Sequence, residues 1–287
     1  MTIHTLVFFD LETTGLPKSE RNHVKITELC CIAVSRSDII ETKCGDVPAN
    51  QKLSLLFDPG KEISAVATEL TGLSRRYLKN CPLFADKIET ILAFLNDLEE
   101  PICLVAHNGN SFDFKVLMTE FLNAGRRLPC NLLCVDSLVG FRKILKDNQI
   151  NYRSFHSSFD DDIITDDDDE DFPALNISNE DWSEIDKLSM SLSDMAVKKD
   201  HSNCSTNSPL KLSTIYKRLL NKDITNAHRA EADCLMLLEC VVTLKDQFLH
   251  WADASCKLMD IVKPFVPYNR EEMLKYKKTK KVFESKN

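Results

Sequence analysis

No stretch of this 287-residue chain approaches the roughly 20 consecutive apolar residues of a membrane-spanning helix, so no membrane partner is expected. The N-terminus has no basic segment followed by an apolar one, and a secretory signal is not expected either. There are 11 cysteines but no CxxC pair, which argues against a disulfide framework and a zinc site. Cys30, Cys31, Cys103, Cys234 and Cys240 instead lie in apolar runs and read as reduced, buried thiols. That usage fits an intracellular protein, cytoplasmic and/or nuclear. Internal repeats are absent. A hydrophobic share of 43% is ordinary for a globular protein, and the length suffices for one large domain with elaborations.

The net charge of -8 is unevenly distributed. Residues 151–208 hold 15 acidic and 4 basic side chains, a net of -11, which leaves +3 for the remainder. Nine of those acids fall within 160–171, and such a block is expected to be solvated and disordered. The end of the chain is basic: Lys275, Lys277, Lys278, Lys280 and Lys281 could bind phosphates or serve as a nuclear address. An acidic average therefore does not exclude a polyanionic partner.

The remaining pattern alternates strands with helices. Residues 5–12, 28–35 and 51–57 read as an antiparallel meander, 83–98 as a helix, 102–106 as a buried strand, and 132–136 as another strand. A helix carrying Phe114, Leu117, Met118, Phe121 and Leu122 on one face ends near Gly125. After the acidic stretch, 210–220 reads as a helix, and Thr225 or Asn226 would cap a final helix running to about Trp251. The expected fold is α/β, a mixed sheet flanked by helices.

Acidic residues interrupt this pattern where a core would not want them. Leu6 to Phe9 reads as a strand buried on both faces, and Asp10 and Glu12 follow it on one face because side chains two apart point the same way. Two carboxylates forced together repel unless a cation lies between them or one takes up a proton. Asp113 follows the 102–106 strand at a helix start, where it could equally be an N-cap. Asp233 shares the stripe of Leu237, Cys240, Val241, Leu244 and Phe248, where an unpaired carboxylate costs several kcal/mol. A metal ion, a cationic partner or bonded backbone amides would each resolve that cost. His228 precedes Asp233 by five residues.

Together the segments FFDLETTG, AHNGNSFDF and AHRAEAD resemble the DEDDh family of 3′→5′ exonucleases. Thr13 to Pro17, Glu69 to Leu73, Leu104 to Gly109, Cys134 to Ser137 and Trp251 to Ala254 resemble its three-prime repair exonuclease (TREX) branch. The likeness covers roughly residues 4–150 and 209–268. It implies an RNase H-like five-stranded mixed sheet, a single domain over 1–268 interrupted by the 151–208 insertion, and a separate basic tail at 269–287. It implies a 3′→5′ DNA exonuclease that releases 5′-nucleoside monophosphates, with single-stranded DNA or DNA 3′ ends as partner.

By the same resemblance, Asp10, Glu12, Asp113 and Asp233 hold two Mg²⁺ ions, with Mn²⁺ able to substitute, and His228 is the general base. Asp10 would bridge the ions, Glu12 and Asp233 complete the first, and Asp113 support the second. Thr13, Leu16, Pro17, Leu70 and Phe112 would seat the terminal nucleotide. A homodimer is implied, joined at a sheet edge, and Gln51 to Phe57 is the edge of interest. The proline-rich stretch of vertebrate members is reduced here to Pro173 and Pro209, and a lysine-rich tail stands where one vertebrate form has a membrane extension.

Rival readings are an RNA exonuclease of the same fold and a catalytically silent nucleic-acid binding module. A phosphatase of the haloacid dehalogenase type also opens on an apolar strand and an Asp, but it wants Asp where Glu12 stands. It also leaves the spacing of His228 and Asp233 unexplained. All five residues being present speaks against a silent module.

Overall fold

A computed structural model describes residues 1–147, 210–223 and 228–266. The acidic insertion, the basic tail, and Thr225 and Asn226 lie outside the described residues. The strands are β1 (Thr5–Thr13), β2 (Ile26–Ser35), β3 (Gln51–Leu56), β4 (Ile102–Ala106), β5 (Leu133–Asp136) and β6 (Lys257–Leu258). They form one sheet in the order β3-β2-β1-β4-β5-β6. β1, β2 and β3 pair antiparallel as a meander, β1, β4 and β5 run parallel, and β6 returns antiparallel to β5. The sheet thus has the expected mixed form, with the two-residue β6 as a sixth strand beyond the five anticipated.

Period-2 alternation in β1 sorts its side chains into two cores. Leu6 and Phe8 face one side and Val7, Phe9 and Leu11 the other, all at most 4% exposed. The second side is covered by α4 (Ile88–Asn96), preceded by a 3-10 turn at Phe84–Lys87, and by α5 (Asp113–Asn123). The first side is covered by α6 (Ser137–Asp147), α7 (Leu212–Leu220), α8 (Ala230–Thr243) and α9 (Lys245–Ser255). Three short helices, α1 (Arg36–Glu41), α2 (Ala65–Thr71) and α3 (Arg75–Leu78), have serine N-caps at Ser35, Ser64 and Ser74, which accept from the amides three residues on.

The single helix expected to reach Trp251 is two. At Leu244 the backbone turns to φ −109 and ψ 25, and its N–H is shared between the carbonyls of Cys240 and Val241. The β-branched run Val241-Val242-Thr243 weakens the last turn of α8. α9 then packs on α6, where a Cβ on Gly140 would lie 2.5 Å from the Trp251 ring. Asp253 accepts from the N–H of Ile3 and pairs with Arg36, holding the N-terminal segment to α9. The Trp251 to Ala254 motif is thus a packing and tethering element, far along the chain from the acidic residues.

Candidate active site

Asp10 and Glu12 extend the Leu6–Phe8 face of β1 beyond the apolar core, opposite Cys30 and Glu28 on β2. A register shift follows Glu12, so the strand ends as the second carboxylate is delivered. Asp233, in the first turn of α8, comes from the helix that packs on this same face. The structure brings carboxylate oxygens of Asp10, Glu12 and Asp233 within 4.8 Å of one another, each residue half-buried. Leu237, Cys240, Val241, Leu244 and Phe248 are all buried, as the stripe that includes Asp233 requires.

Asp113 approaches from the other layer. It is the first residue of α5 rather than its N-cap, a place taken by Phe112, which makes no side-chain cap bond. Asp113 is 4% exposed, and its carboxylate is bonded by its own amide and that of Leu11. The loop that aims it is held from below by Asp136, whose carboxylate accepts from the amides of Asn108 (2.9 Å), Asn110 (3.0 Å) and Leu138 (3.0 Å). Gly109 is required in that loop, since a Cβ there would lie 2.7 to 2.8 Å from the Phe114 ring and Ala106 Cβ.

Electrostatics confirm the crowding. Burial, then the charges of Asp113, Glu12 and Asp233, push the Asp10 carboxyl well above the usual carboxylate range. Burial followed by Asp233 and Glu28 pushes Glu12 up to about 9. Burial raises Asp113 to about 7, against the hydrogen bonds it accepts, and Asp233 to about 6, against the nearby His228. A site that strains four acids toward protonation is relieved by a cation. All donors are hard oxygens, which suit a divalent ion such as Mg²⁺ or Mn²⁺. The residues present fit such an ion.

His228 is exposed, and its backbone N–H donates to the Asp233 carboxylate. Its φ is +65, in the left-handed region that a non-glycine residue adopts only under local constraint. The constraint is visible next door. Arg229 donates to Glu28 through Nε (2.9 Å) and Nη2 (2.8 Å), and the Ala230 amide donates to the same carboxylate at 3.2 Å. Glu28 is 2% exposed, so this fork fixes the start of α8 against β2. Neither Glu28 nor Asp136 was singled out from sequence for this purpose. The available signal was an acid at Glu28 inside an apolar strand, opposite Glu12, with no cation near it in sequence.

The five residues expected to seat a nucleotide are less uniform. Thr13 is buried, and its hydroxyl donates to the Gly15 carbonyl at 2.9 Å. Pro17 is buried, while Leu16 and Phe112 are half-buried. Leu70 is 49% exposed on α2. A groove of about 1020 Å³ lies beside the acidic cluster, walled by β3, by Leu70 to Gly72 and by α8. Of the five, Leu70 alone lines it, with Glu28 and Arg229 among its other walls.

A family model described as Exonuclease matches residues 7–162. The chain is 30% identical over 277 residues to three-prime repair exonuclease 1 of Homo sapiens, covering 91% of this chain and 70% of that protein. It is 39% identical over 147 residues to the human three prime repair exonuclease 2, covering 48% of this chain and 61% of that protein. Among solved structures, an E. coli ExoI–ssDNA complex aligns with a TM-score of 0.54 at 13% identity, over 88% of this chain and 43% of that one. A 3′-exonuclease described for 3′-end recognition of a histone mRNA stem-loop aligns at 0.53 and 10% identity, over 86% and 84%. These two likenesses show the fold. The family match and the extent of the human relatives' similarity show that the chain belongs to the exonuclease family, in its three-prime repair exonuclease branch.

Proposed function

We propose that this protein is a divalent-metal-dependent 3′→5′ DNA exonuclease that hydrolyses the terminal phosphodiester and releases 5′-nucleoside monophosphates. The observation that carries this reading is the convergence of the Asp10, Glu12 and Asp233 carboxylates within 4.8 Å. Asp113 stands close enough to be the largest neighbouring charge acting on Asp10. Asp10, Glu12, Asp113 and Asp233 would hold two Mg²⁺ ions. When bound, these supply charge neutralisation and Lewis-acid activation at the scissile phosphate.

The chain's own residues would do the rest. His228 takes the proton of the attacking water, a role suited to an imidazole near neutral pH, and its exposure leaves it open to solvent and substrate. The water oxygen bonds to phosphorus, the 3′ oxygen of the preceding nucleotide leaves, and the acidic residues keep the reacting phosphate in place. Thr13, Leu16, Pro17, Leu70 and Phe112 would seat the last nucleotide, apolar and aromatic groups stacking on a base without reading its sequence. Thr13, with its hydroxyl committed to Gly15, would contribute packing and backbone.

The preference for DNA follows the repair designation of the human relatives. The fold itself is neutral, since one neighbour carries ssDNA and another is described with a histone mRNA stem-loop. We further propose one domain over 1–268 interrupted at 151–208, an intracellular setting consistent with ten described free cysteines, and a homodimer through Gln51 to Phe57. β3 is an open edge of the sheet, as that pairing needs. A mass that stays monomeric at all concentrations in sedimentation would refute the dimer.

The test is digestion of end-labelled single-stranded DNA, double-stranded DNA and RNA with and without Mg²⁺. Mg²⁺-dependent shortening of DNA from its 3′ end is expected. Asp10→Ala and Asp233→Asn should each lower kcat by at least about 100-fold. His228→Ala should lower it about 100-fold or more while retaining metal binding. Intact Mg²⁺-dependent activity in the Asp variants would overturn the assignment, and RNA cut in preference to DNA would change its substrate.

A further inference from the structure

The last described segment climbs from the far end of the sheet to the mouth of the acidic site. β6 pairs with Leu133 and Cys134 at the start of β5, and the Met259 amide donates to the Leu132 carbonyl at 2.8 Å. The C-terminal ends of β1, β4 and β5, where the acids gather, are at the opposite edge. From Met259 the chain runs along α5. Val262 packs in the core, the Phe265 amide donates to Thr119 Oγ1 at 2.9 Å, and Lys115 Nζ lies 5.6 Å from the centroid of the Phe265 ring. Asn22 Nδ2 then donates to the Val266 carbonyl at 2.7 Å, while the Asn22 amide donates to the Pro17 carbonyl at 2.7 Å. One loop thus carries Leu16 and Pro17 and also holds the departing chain.

Three segments meet there, and each brings positive charge. Lys18 and Arg21 are exposed on the loop, Lys263 is exposed on the climbing segment, and Lys115 is half-buried two residues beyond Asp113. None of these four forms an ion pair among the described residues. The acids of the same face are already committed. Glu20 accepts from Thr14 and pairs with Lys61, and Glu120 pairs with Lys25 at 2.8 Å. Beyond Val266 the sequence continues the sign with Lys275, Lys277, Lys278, Lys280 and Lys281, and it interleaves Tyr276 and Phe283. Nine residues separate Val266 from Lys275, a reach of at most about 30 Å and roughly 15–18 Å for a flexible chain.

We propose that the 16–22 loop, the start of α5 and the 260–266 segment form a basic rail for the phosphates of the DNA strand entering the site, prolonged by the lysines of the tail. The proposal rests on the exonuclease reading for its substrate. Phosphate contacts release counterions and give affinity without sequence preference, which is what a nuclease working through any sequence needs. Aromatic residues among the lysines add stacking that every base can share. Pinning the exit at Asn22 keeps the tail's lysines at high local concentration beside the 3′ end.

Two full-length variants test it: Lys18→Gln with Arg21→Gln and Lys263→Gln, and a second with Lys275, Lys277, Lys278, Lys280 and Lys281 each changed to Gln. The probe is a labelled single-stranded DNA oligonucleotide, read by fluorescence anisotropy without divalent metal and by exonuclease kinetics with Mg²⁺ across a salt series. Each variant should raise Kd and KM about 3- to 10-fold and flatten the slope of log K against log salt by roughly 0.7 for each phosphate no longer neutralised, with kcat at saturating DNA unchanged. Unchanged KM and slope in the first variant would overturn the rail even if the tail variant binds more weakly. Unchanged behaviour in the second would confine the rail to the described residues and overturn its extension. Weakened DNA binding in both variants of a protein that cuts no DNA would sink the exonuclease reading and leave the rail standing.

Discussion

At the residue scale, the acidic site should make the protein's stability and its metal affinity depend on pH in a linked way. In an unfolded chain, Asp and Glu side chains titrate near pH 4. Folding raises Asp10, and lifts Asp233 to about 6, Asp113 to about 7 and Glu12 to about 9. Between those limits the folded chain holds more protons than the unfolded one, so the associated stability is present in acid and is lost as pH rises through the raised values. His107 acts in the opposite sense. Burial lowers it to about 4, its Nδ1 contacts Ser137 Oγ and its Nε2 contacts the Leu210 carbonyl, so its contribution is lost as pH falls from about 6.5 through about 4. The EDTA-treated protein should therefore melt at progressively lower temperature from about pH 6.5 to pH 9. Metal ligands must be deprotonated, so Mg²⁺ should displace protons and raise Tm by several degrees near pH 8 and little near pH 5. Calorimetric melts with and without Mg²⁺ check this, and a Mg²⁺ shift independent of pH would refute it.

At the scale of elements, the start of α8 is the joint on which the site depends. Arg229 is half-exposed but Glu28 is buried, so removing the guanidinium strands a carboxylate inside the protein. Arg229→Ala should cost about 2–3 kcal/mol of folding stability, toward the low end for breaking a buried pair because the arginine keeps some contact with water. It should also lower kcat about tenfold, since His228 and Asp233 lie either side of the deleted fork and a small misplacement is expensive. Urea denaturation and steady-state kinetics measure the two effects, and a loss of stability with unaltered kcat would remove the fork from the positioning of the site. This joint was only half legible in sequence. Asp233 declared itself by sitting on an apolar stripe, and Asp10 and Glu12 by breaking an apolar strand. Glu28 is equally buried, yet its partner is 201 residues away, and no periodicity signals a contact of that separation. The short helices α1, α2 and α3 escaped for another reason: at 6, 7 and 4 residues they are too brief to show a 3.6-residue period, although their serine caps were readable. The division of α8 from α9 was written in the run Val241-Val242-Thr243, where an unbroken apolar stripe through Leu244 masked it.

At the scale of the whole molecule, one sheet is assembled from both sides of the insertion. β1, β2 and β4 need α8 to cover the Leu6–Phe8 face, and α7 and α9 complete that layer with Ile215, Leu219 and Phe248. The two ends of the intervening chain are separately secured. α6 is packed through Phe141 and Ile144, and the far side is pinned where the Leu210 carbonyl meets His107 Nε2 at 3.0 Å. If 1–268 is a single domain, the chain between these anchors contributes nothing to its core, and its length costs only closure entropy. Replacing residues 151–208 with a flexible linker of about 12 residues should leave folding cooperative and stability equal or higher by about 1–2 kcal/mol, because closing a shorter loop is cheaper. The carboxylate site needs nothing from the excised stretch, so Mg²⁺ affinity should be unchanged. KM for DNA should be unchanged for a solvated spacer and lowered if its carboxylates compete with DNA for the basic body. Two separate melting transitions, or failure of 1–150 and 209–268 to fold together when so joined, would refute the single domain.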